Sequence, residues 1–312
     1  MSGKTPASLV LGTVQFGQPY GVANRTGWPT RDRTIAMLRR AVREGVAQLD
    51  TARAYGEAEE RIGAAFSNAA PPVTVTKLDP LANLKADAPN AVAEAAVDAS
   101  IAQSLAALGR SALDVLLLHR CVHLKSNNGA VWRRLRTLQR NGTIKHLGVS
   151  VQTPQEAMVA LIADGVSHIQ LPFNLLDWRW RATGVDKVLK SRADITVHAR
   201  SAFLQGLLVA RDATIWPAIP GVHPSSVIAL LDDLVRELGR LHEPDLCLAY
   251  VRGQDWIDGV VVGMENEDQL ETNLSLFKRP PLTPAECRRI EVRVPQQPAQ
   301  LLTPALWNQV LS

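Results

Sequence analysis

The chain has 312 residues, 46% of them hydrophobic, and a net charge of +4, which suits one α/β domain with a large core. That mild charge offers no tract for nucleic acid, no uninterrupted run of about 18 apolar residues suggests a membrane span, and MSGKTPASLVLG lacks the apolar stretch of a secretory signal. Three cysteines (Cys121, Cys247, Cys287) without paired metal spacing point to free thiols and a reducing cytoplasm.

The chain opens with a strand at 8–12, a long loop at 15–30 (QFGQPYGVANRTGWPT) and a helix at 31–44 closed by Gly45. Strand 46–50, helix 57–66, strand 73–77 and helix 90–108 follow. Next come strand 113–119, helix 131–141 ending at Asn141-Gly142, strand 146–150 and helix 154–164 opened by Thr153-Pro154. The last units are strand 168–173, helix 179–191, strand 194–200, a helical stretch at 225–252 broken near Pro244, strand 259–263 and helix 266–276. The tail 285–312, containing Pro and Gln, reads as a C-terminal loop and short helix across the barrel. Several strands are apolar nearly throughout, as in VLLL before His119, which indicates burial on both faces under helices. Eight such strand–helix units without an internal boundary predict a single (β/α)8 TIM barrel over 1–312. A doubly wound sheet would want a glycine fingerprint after its first strand, and none is present.

Asp50, Tyr55, Lys77 and His119 each fall at or just beyond the carboxyl end of a predicted strand, where a parallel barrel gathers residues on one face. A free tyrosine has a pKa near ~10, and an ammonium close by pulls it down. Lys77 can play that part toward Tyr55, with Asp50 fixing the ammonium and His119 hydrogen-bonding a substrate oxygen. General acid catalysis of this kind contributes roughly 100- to 10,000-fold. The hydride needed to reduce a carbonyl must come from a cofactor, since no side chain supplies one. Any one of the four alone reads more readily as a capping or solvated polar group; the combination on three successive strands sets them apart.

The stretch GVAQLDTARAYGEAEERIG (45–63), Lys77 in VTVTK and His119 in LLLHR together resemble the aldo-keto reductase superfamily, whose DTAxxYG segment precedes an ExxxG helix. The resemblance runs from Gly12 and Thr13 to Asn273. It implies a (β/α)8 barrel that binds a nicotinamide dinucleotide without a Rossmann domain, Tyr55 as proton donor, Lys77 and Asp50 as its tuning pair, and a small-molecule carbonyl substrate. It also implies cofactor contacts. Gly12, Thr13 and Asp50 lie at the first strand ends, and Ser150 and Gln170 match the residues that hold the carboxamide, although Val151 stands where the family usually has Asn. Arg200 occupies a position where many members stack an aromatic ring on the nicotinamide, and Ser201, Phe203, Gln205 and Gly206 match the pyrophosphate loop. Gly263, Met264, Glu267, Gln269 and Asn273 fall in the segment resembling the adenosine site, with Asn273 as an adenine contact. Glu265 and Glu267 stand where members preferring the 2′-phosphate carry Lys or Arg, which favours NAD(H) over NADP(H).

Other signals are weaker. The spacing in His119-Arg-Cys121-Val-His123 is too irregular for a zinc site, so no metal is expected. Arg133, Arg136 and Arg140 read as a solvated helix face rather than a nucleic-acid surface. Tyr20 and Trp28 in the 15–30 loop, and Trp178 and Trp180, are candidates to line a substrate pocket or simply to pack their loops. The same loop resembles a bacterial subgroup that includes the cell-division regulator KidO. That resemblance implies an alternative role, a dinucleotide-binding regulator of a protein partner such as the cell-division machinery.

Overall fold

Eight parallel strands close in sequence order: β1 (Ser8–Gly12), β2 (Gln48–Asp50), β3 (Val73–Lys77), β4 (Leu113–Leu118), β5 (Ile144–Ser150), β6 (Val166–Pro172), β7 (Thr196–Arg200) and β8 (Gly259–Gly263), which pairs back to β1. This computed structural model describes residues 5–24 and 27–310; Arg25 and Thr26 of the long loop, and the last two residues of the tail, lie outside them.

Side chains alternate along each strand with a period of two, and both faces are covered. Leu11, Leu49, Leu116, Leu118, Ile169 and Val197 join the main core beneath the surrounding helices. Val75, Val115 and Leu117 form a separate small apolar cluster on the opposite side of their strands, in the barrel interior. That is why these strands read as unbroken apolar runs. The interior face continues in steps of two toward the carboxyl ends: Val75 leads to Lys77, Leu117 to His119, His168 to Gln170, and His198 to Arg200.

Deeper in the barrel, the rings of His168 and His198 meet edge to face with centroids 4.2 Å apart. Neighbouring glycines make the room. A Cβ at Gly259 would lie 2.8 Å from the His198 ring, and one at Gly148 would lie 2.7 Å from the His168 Cβ.

Helix ends differ from expectation where local chemistry intervenes. The 179–191 segment is two pieces, Arg179–Ala182 and Val185–Ser191, separated at Gly184 with φ +74°. The 225–252 segment divides into Pro224–Glu237 and Glu243–Arg252. Pro244 sits in the first turn of the second piece, where its missing N–H costs nothing, rather than at the break itself. The tail contains a ten-residue helix, Pro284–Arg293, opened by a reciprocal Thr283–Glu286 capping box. Beyond it the chain crosses the barrel to reach the turn after β6: Trp178 Nε1 donates to the Gln297 carbonyl at 2.9 Å, and Arg179 donates to the Leu302 carbonyl at 3.3 Å.

Asn90–Leu108 is, by length and composition alone, long and apolar enough to cross a membrane. Glu94 and Asp98 interrupt its apolar run, so no uninterrupted stretch is visible in sequence. It packs as a barrel helix, burying Ala93, Val97, Ile101 and Leu108. Asp98 on the same helix receives two hydrogen bonds from Arg134 at 2.7 and 2.9 Å.

Candidate active site

Two glycines fix the loop that carries Tyr55. A Cβ on Gly17 would lie 1.7 Å from the Tyr55 carbonyl oxygen, and one on Gly56 would lie 2.3 Å from the Gly17 carbonyl oxygen. Gly56 also has φ +53°, a left-handed conformation that glycine adopts without strain. The two backbones therefore press directly on each other and hold Tyr55 at the barrel mouth. Thr13 clamps the preceding strand end, its amide and hydroxyl both donating to the Asp50 carbonyl at 2.9 and 3.0 Å.

The helix that follows, Ala58–Ala65, is anchored by a buried carboxylate. Glu59 accepts from Arg53 at 2.5 Å, Thr76 at 2.6 Å and Ser104 at 3.2 Å. Burial raises the affinity of this carboxyl for its proton, and those partners oppose the shift only in part. A Cβ on Gly63 would lie 2.2 Å from the Ala107 carbonyl oxygen. Glu59 and Gly63 thus fasten this helix to its neighbours.

Lys77 is 1% exposed and has three acceptors: Asp50 Oδ1 at 2.8 Å, Asp50 Oδ2 at 2.9 Å and the Thr51 carbonyl at 2.8 Å. Burial alone would favour the neutral amine, but the Asp50 carboxylate, Tyr55 and the hydrogen bonds that Lys77 donates to Asp50 outweigh it, so the lysine pKa is raised and the ammonium is retained. Its Nζ stands 5.0 Å from the centroid of the Tyr55 ring. The His119 ring lies edge-on to the same tyrosine, centroids 6.0 Å apart. Burial, followed by the charges of Lys77, Arg200 and Arg120, pushes the His119 pKa down to about 3, so the imidazole is neutral. Its Nδ1 is buried without a partner. A neutral ring offers one donor and one acceptor nitrogen to a substrate oxygen.

Asp50 has a third partner from across the barrel: Gln170 Nε2 on β6 donates to Asp50 Oδ2 at 2.5 Å, while Gln170 Oε1 is buried without a partner. Asp50, Lys77, Gln170, Tyr55 and His119 accordingly form one contiguous cluster.

The cluster opens into a cavity of about 560 Å³. Of the residues singled out in the sequence, Gly12, Thr13, Tyr20, Asp50, Tyr55, Arg200, Ser201, Phe203, Gln205, Gly206, Gly263, Gln269 and Asn273 line it. Lys77 and Gln170 sit behind Asp50. Ser150 is buried at the end of β5 and does not reach the lining. Met264 is turned into the core at 1% exposure, and Glu267 lies outside the lining on the exposed first turn of Glu267–Lys278. Trp28 is 49% exposed and away from the cavity. Trp178 and Trp180 are packing residues: the first binds the tail, and the second is fully buried with its Nε1 on Asp177 at 3.2 Å.

Tyr20 is 38% exposed, with its hydroxyl end enclosed beside Gln205. Burial of that end, and then proximity to Tyr55, raise its pKa. The segment Ser201–Gly206 has φ of 62° at Ser201, 47° at Leu204, 55° at Gln205 and 95° at Gly206. Repeated left-handed residues turn successive amides toward one side, the geometry of an anion-binding concavity. Gly206 also makes room for the long loop, since a Cβ there would lie 2.6 Å from the Ala23 Cβ.

Sequence reasoning did not single out Gln15, Asn24, Asp268 or Thr272 as site residues, yet all four line the cavity. Gln15 carried a faint signal. It follows Gly12 and Thr13 by two residues, and its amide fills the space that a side chain at Gly263 would take, 2.3 Å from the position of such a Cβ.

His123 and Cys121 have separate partners, the Pro80 and Glu156 carbonyls at 2.9 and 3.6 Å. Among the described residues no group of three or more His, Cys, Asp or Glu could hold a metal ion. On the Arg-rich helix, Arg134 pairs with Asp98 and Arg136 with Asp164.

A model of the aldo/keto reductase family matches residues 8–292. The holo form of aldo-keto reductase AKR11C1 from Bacillus halodurans superposes with a TM-score of 0.75 at 18% identity, with 95% of each chain covered. Glycerol dehydrogenase AKR11B4 from Gluconobacter oxydans gives 0.70 at 21% identity, covering 95% of this chain and 94% of its own. No curated protein matches the chain.

Proposed function

The chain belongs to the aldo/keto reductase family, and from that premise we propose that it reduces an aldehyde or ketone to an alcohol with a nicotinamide dinucleotide, Tyr55 donating the proton. The observation that carries this reading is the placement of Tyr55 in the cavity wall, with a buried, carboxylate-bound Lys77 ammonium 5.0 Å from its ring.

The residues present fit such a cofactor. Gln170 Oε1, a buried acceptor without a partner, would hold the carboxamide. The left-handed run at Ser201, Gln205 and Gly206 would hold the pyrophosphate. Gly263, where a Cβ would strike Gln15, leaves the wall open, and Gln269 and Asn273 would face the adenosine. When bound, the dinucleotide supplies the hydride.

The chain's own groups do the rest. The Tyr55 hydroxyl passes its proton to the carbonyl oxygen as the carbon is reduced. The phenolate left behind is stabilised by the Lys77 ammonium, which Asp50 and the Thr51 carbonyl hold in place. His119, uncharged, orients the carbonyl oxygen by hydrogen bonding. Tyr20, the second phenol in the cavity, borders the space left for substrate.

NAD(H) is the favoured cofactor. Glu265 and Asp268 line the cavity after β8, and among its described lining residues Arg200 is the one Lys or Arg. A 2′-phosphate beside Asp268 would meet a carboxylate instead of the cationic partners that bind it strongly.

A panel of aldehydes and ketones, offered with NADH and with NADPH, tests the proposal. Cofactor oxidation that depends on the carbonyl, faster with NADH, supports it. The alternative, a regulator that retains the dinucleotide and signals to a protein partner, draws on Arg200, whose guanidinium donates to the Val151 carbonyl at 3.3 Å. Stoichiometric bound cofactor with no turnover on any carbonyl would favour that alternative.

A further inference from the structure

The charges around the barrel mouth do not cancel. Lys77 and Asp50 neutralise each other at 2.8 and 2.9 Å, and His119 is uncharged. Arg200 remains. Its guanidinium has two hydrogen bonds, both to neutral acceptors: the Ser201 hydroxyl at 3.4 Å and the Val151 carbonyl at 3.3 Å. No carboxylate pairs with it among the described residues. Guanidinium is protonated at any working pH, so Arg200 brings an uncompensated charge of about +1 to this end of the cavity, and it is only partly exposed.

Arg200 shares the cavity wall with Tyr55 and Asp50, and its charge is felt at Tyr20, Lys77 and His119. A pyridine ring that delivers hydride to a carbonyl held by Tyr55 has to occupy this same space. Such a ring is neutral when reduced and carries one positive charge when oxidised. Every other part of the dinucleotide is identical in the two forms, so the effect of Arg200 on the ratio of their affinities comes through the ring alone.

We infer that Arg200 is a positioning and selectivity residue that makes the site hold the reduced dinucleotide more tightly than the oxidised one. The inference rests on the nicotinamide-binding reading above. One uncompensated charge at partly buried range discriminates by on the order of 10- to 100-fold in affinity. Its chemical consequence is that the reduced form is retained before turnover and the oxidised form is released readily after it.

Equilibrium titrations of the purified protein, followed by tryptophan fluorescence and calorimetry, test this with NADH and NAD⁺ separately, or with the phosphorylated pair if that binds instead. The wild type is expected to bind the reduced form at least about tenfold more tightly. Arg200→Met should shrink that ratio by about fivefold or more, whatever it does to both affinities together, and Arg200→Lys should preserve it. If Arg200→Met fails to fold, Arg200→Gln serves, since it can keep the hydrogen bonds while removing the charge. A wild-type ratio near one, or a ratio unchanged in the neutral variants, overturns the inference while leaving the cofactor assignment intact. Failure of the wild type to bind either form overturns both.

Discussion

Asp50 and Lys77 are 3% and 1% exposed, and the pair is the electrostatic base of the site. Asp50→Asn would leave a buried ammonium with the Thr51 carbonyl and one amide oxygen; Lys77→Met would leave a buried carboxylate with Gln170. Removing one partner of such a pair costs roughly 3–5 kcal/mol, because the remaining charge is stranded in a poorly solvated place. With an unfolding entropy of about 2.1 cal/mol/K per residue, 312 residues give about 0.65 kcal/mol per degree, so each single variant should melt about 5–8 °C lower. The double variant strands no charge and should fall well short of the sum, with a coupling of about 2 kcal/mol or more. Urea denaturation of the four proteins at pH 7 provides the cycle. Single losses below about 1 kcal/mol, or additivity within about 0.5 kcal/mol, would refute the claim that the two charges hold each other in the barrel.

Gly17→Ala would drive a Cβ to within 1.7 Å of the Tyr55 carbonyl, so it should cut kcat at least about tenfold and destabilise by about 2 kcal/mol, as read by steady-state kinetics and denaturation; wild-type kinetics in the variant would show that the contact does not position Tyr55. Burial lowers the pKa of His119 to about 3, that of His198 to about 4 and that of His168 well below its usual value. The unfolded chain therefore binds protons that the native one does not below about pH 6.5, and stability present above that pH should be lost on acidification toward pH 4, by about 1.4 kcal/mol per unit for each histidine. Urea midpoints should track that fall, more gently in His198→Gln; a midpoint flat between pH 7 and 4.5 would contradict it. Asp268→Arg places a cation in the cavity wall after β8 and should improve NADPH binding relative to NADH by about tenfold in direct titrations. An unchanged ratio would remove the acidic-wall argument for NAD(H).

Much of this fold was legible because its physics is local. Apolar runs such as VLLL in β4, and Gly and Thr-Pro punctuation at helix ends, report strand burial and helix limits without knowledge of tertiary contacts. The cluster at Asp50, Tyr55, Lys77 and His119 was legible because strand ends in a parallel barrel converge. What escaped detection depends on contacts between distant segments. Gly17 looks ordinary until the Tyr55 loop is laid against it. Gln170 was expected to face a carboxamide, but half of its amide is committed to Asp50, 120 positions away. Met264 and Glu267 flank Glu265 and Asn266 in a turn whose direction the sequence does not encode, and it sends one into the core and the other to the surface. A short helix was expected in the tail, but its Pro- and Gln-containing composition obscured where Pro284–Arg293 begins and ends, although the Thr283–Glu286 box was visible in the letters.

Tyr55 is proposed to give a proton to a carbonyl oxygen while hydride arrives at the carbon. Single-turnover reduction of a reactive aldehyde by NADH deuterated at C4, with product analysed by mass spectrometry, addresses it directly. The wild type should place one deuterium on the alcohol carbon, and Tyr55→Phe should do so roughly 100- to 10,000-fold more slowly while binding NADH equally well. Deuterium transfer at an undiminished rate in the phenylalanine variant would contradict the account.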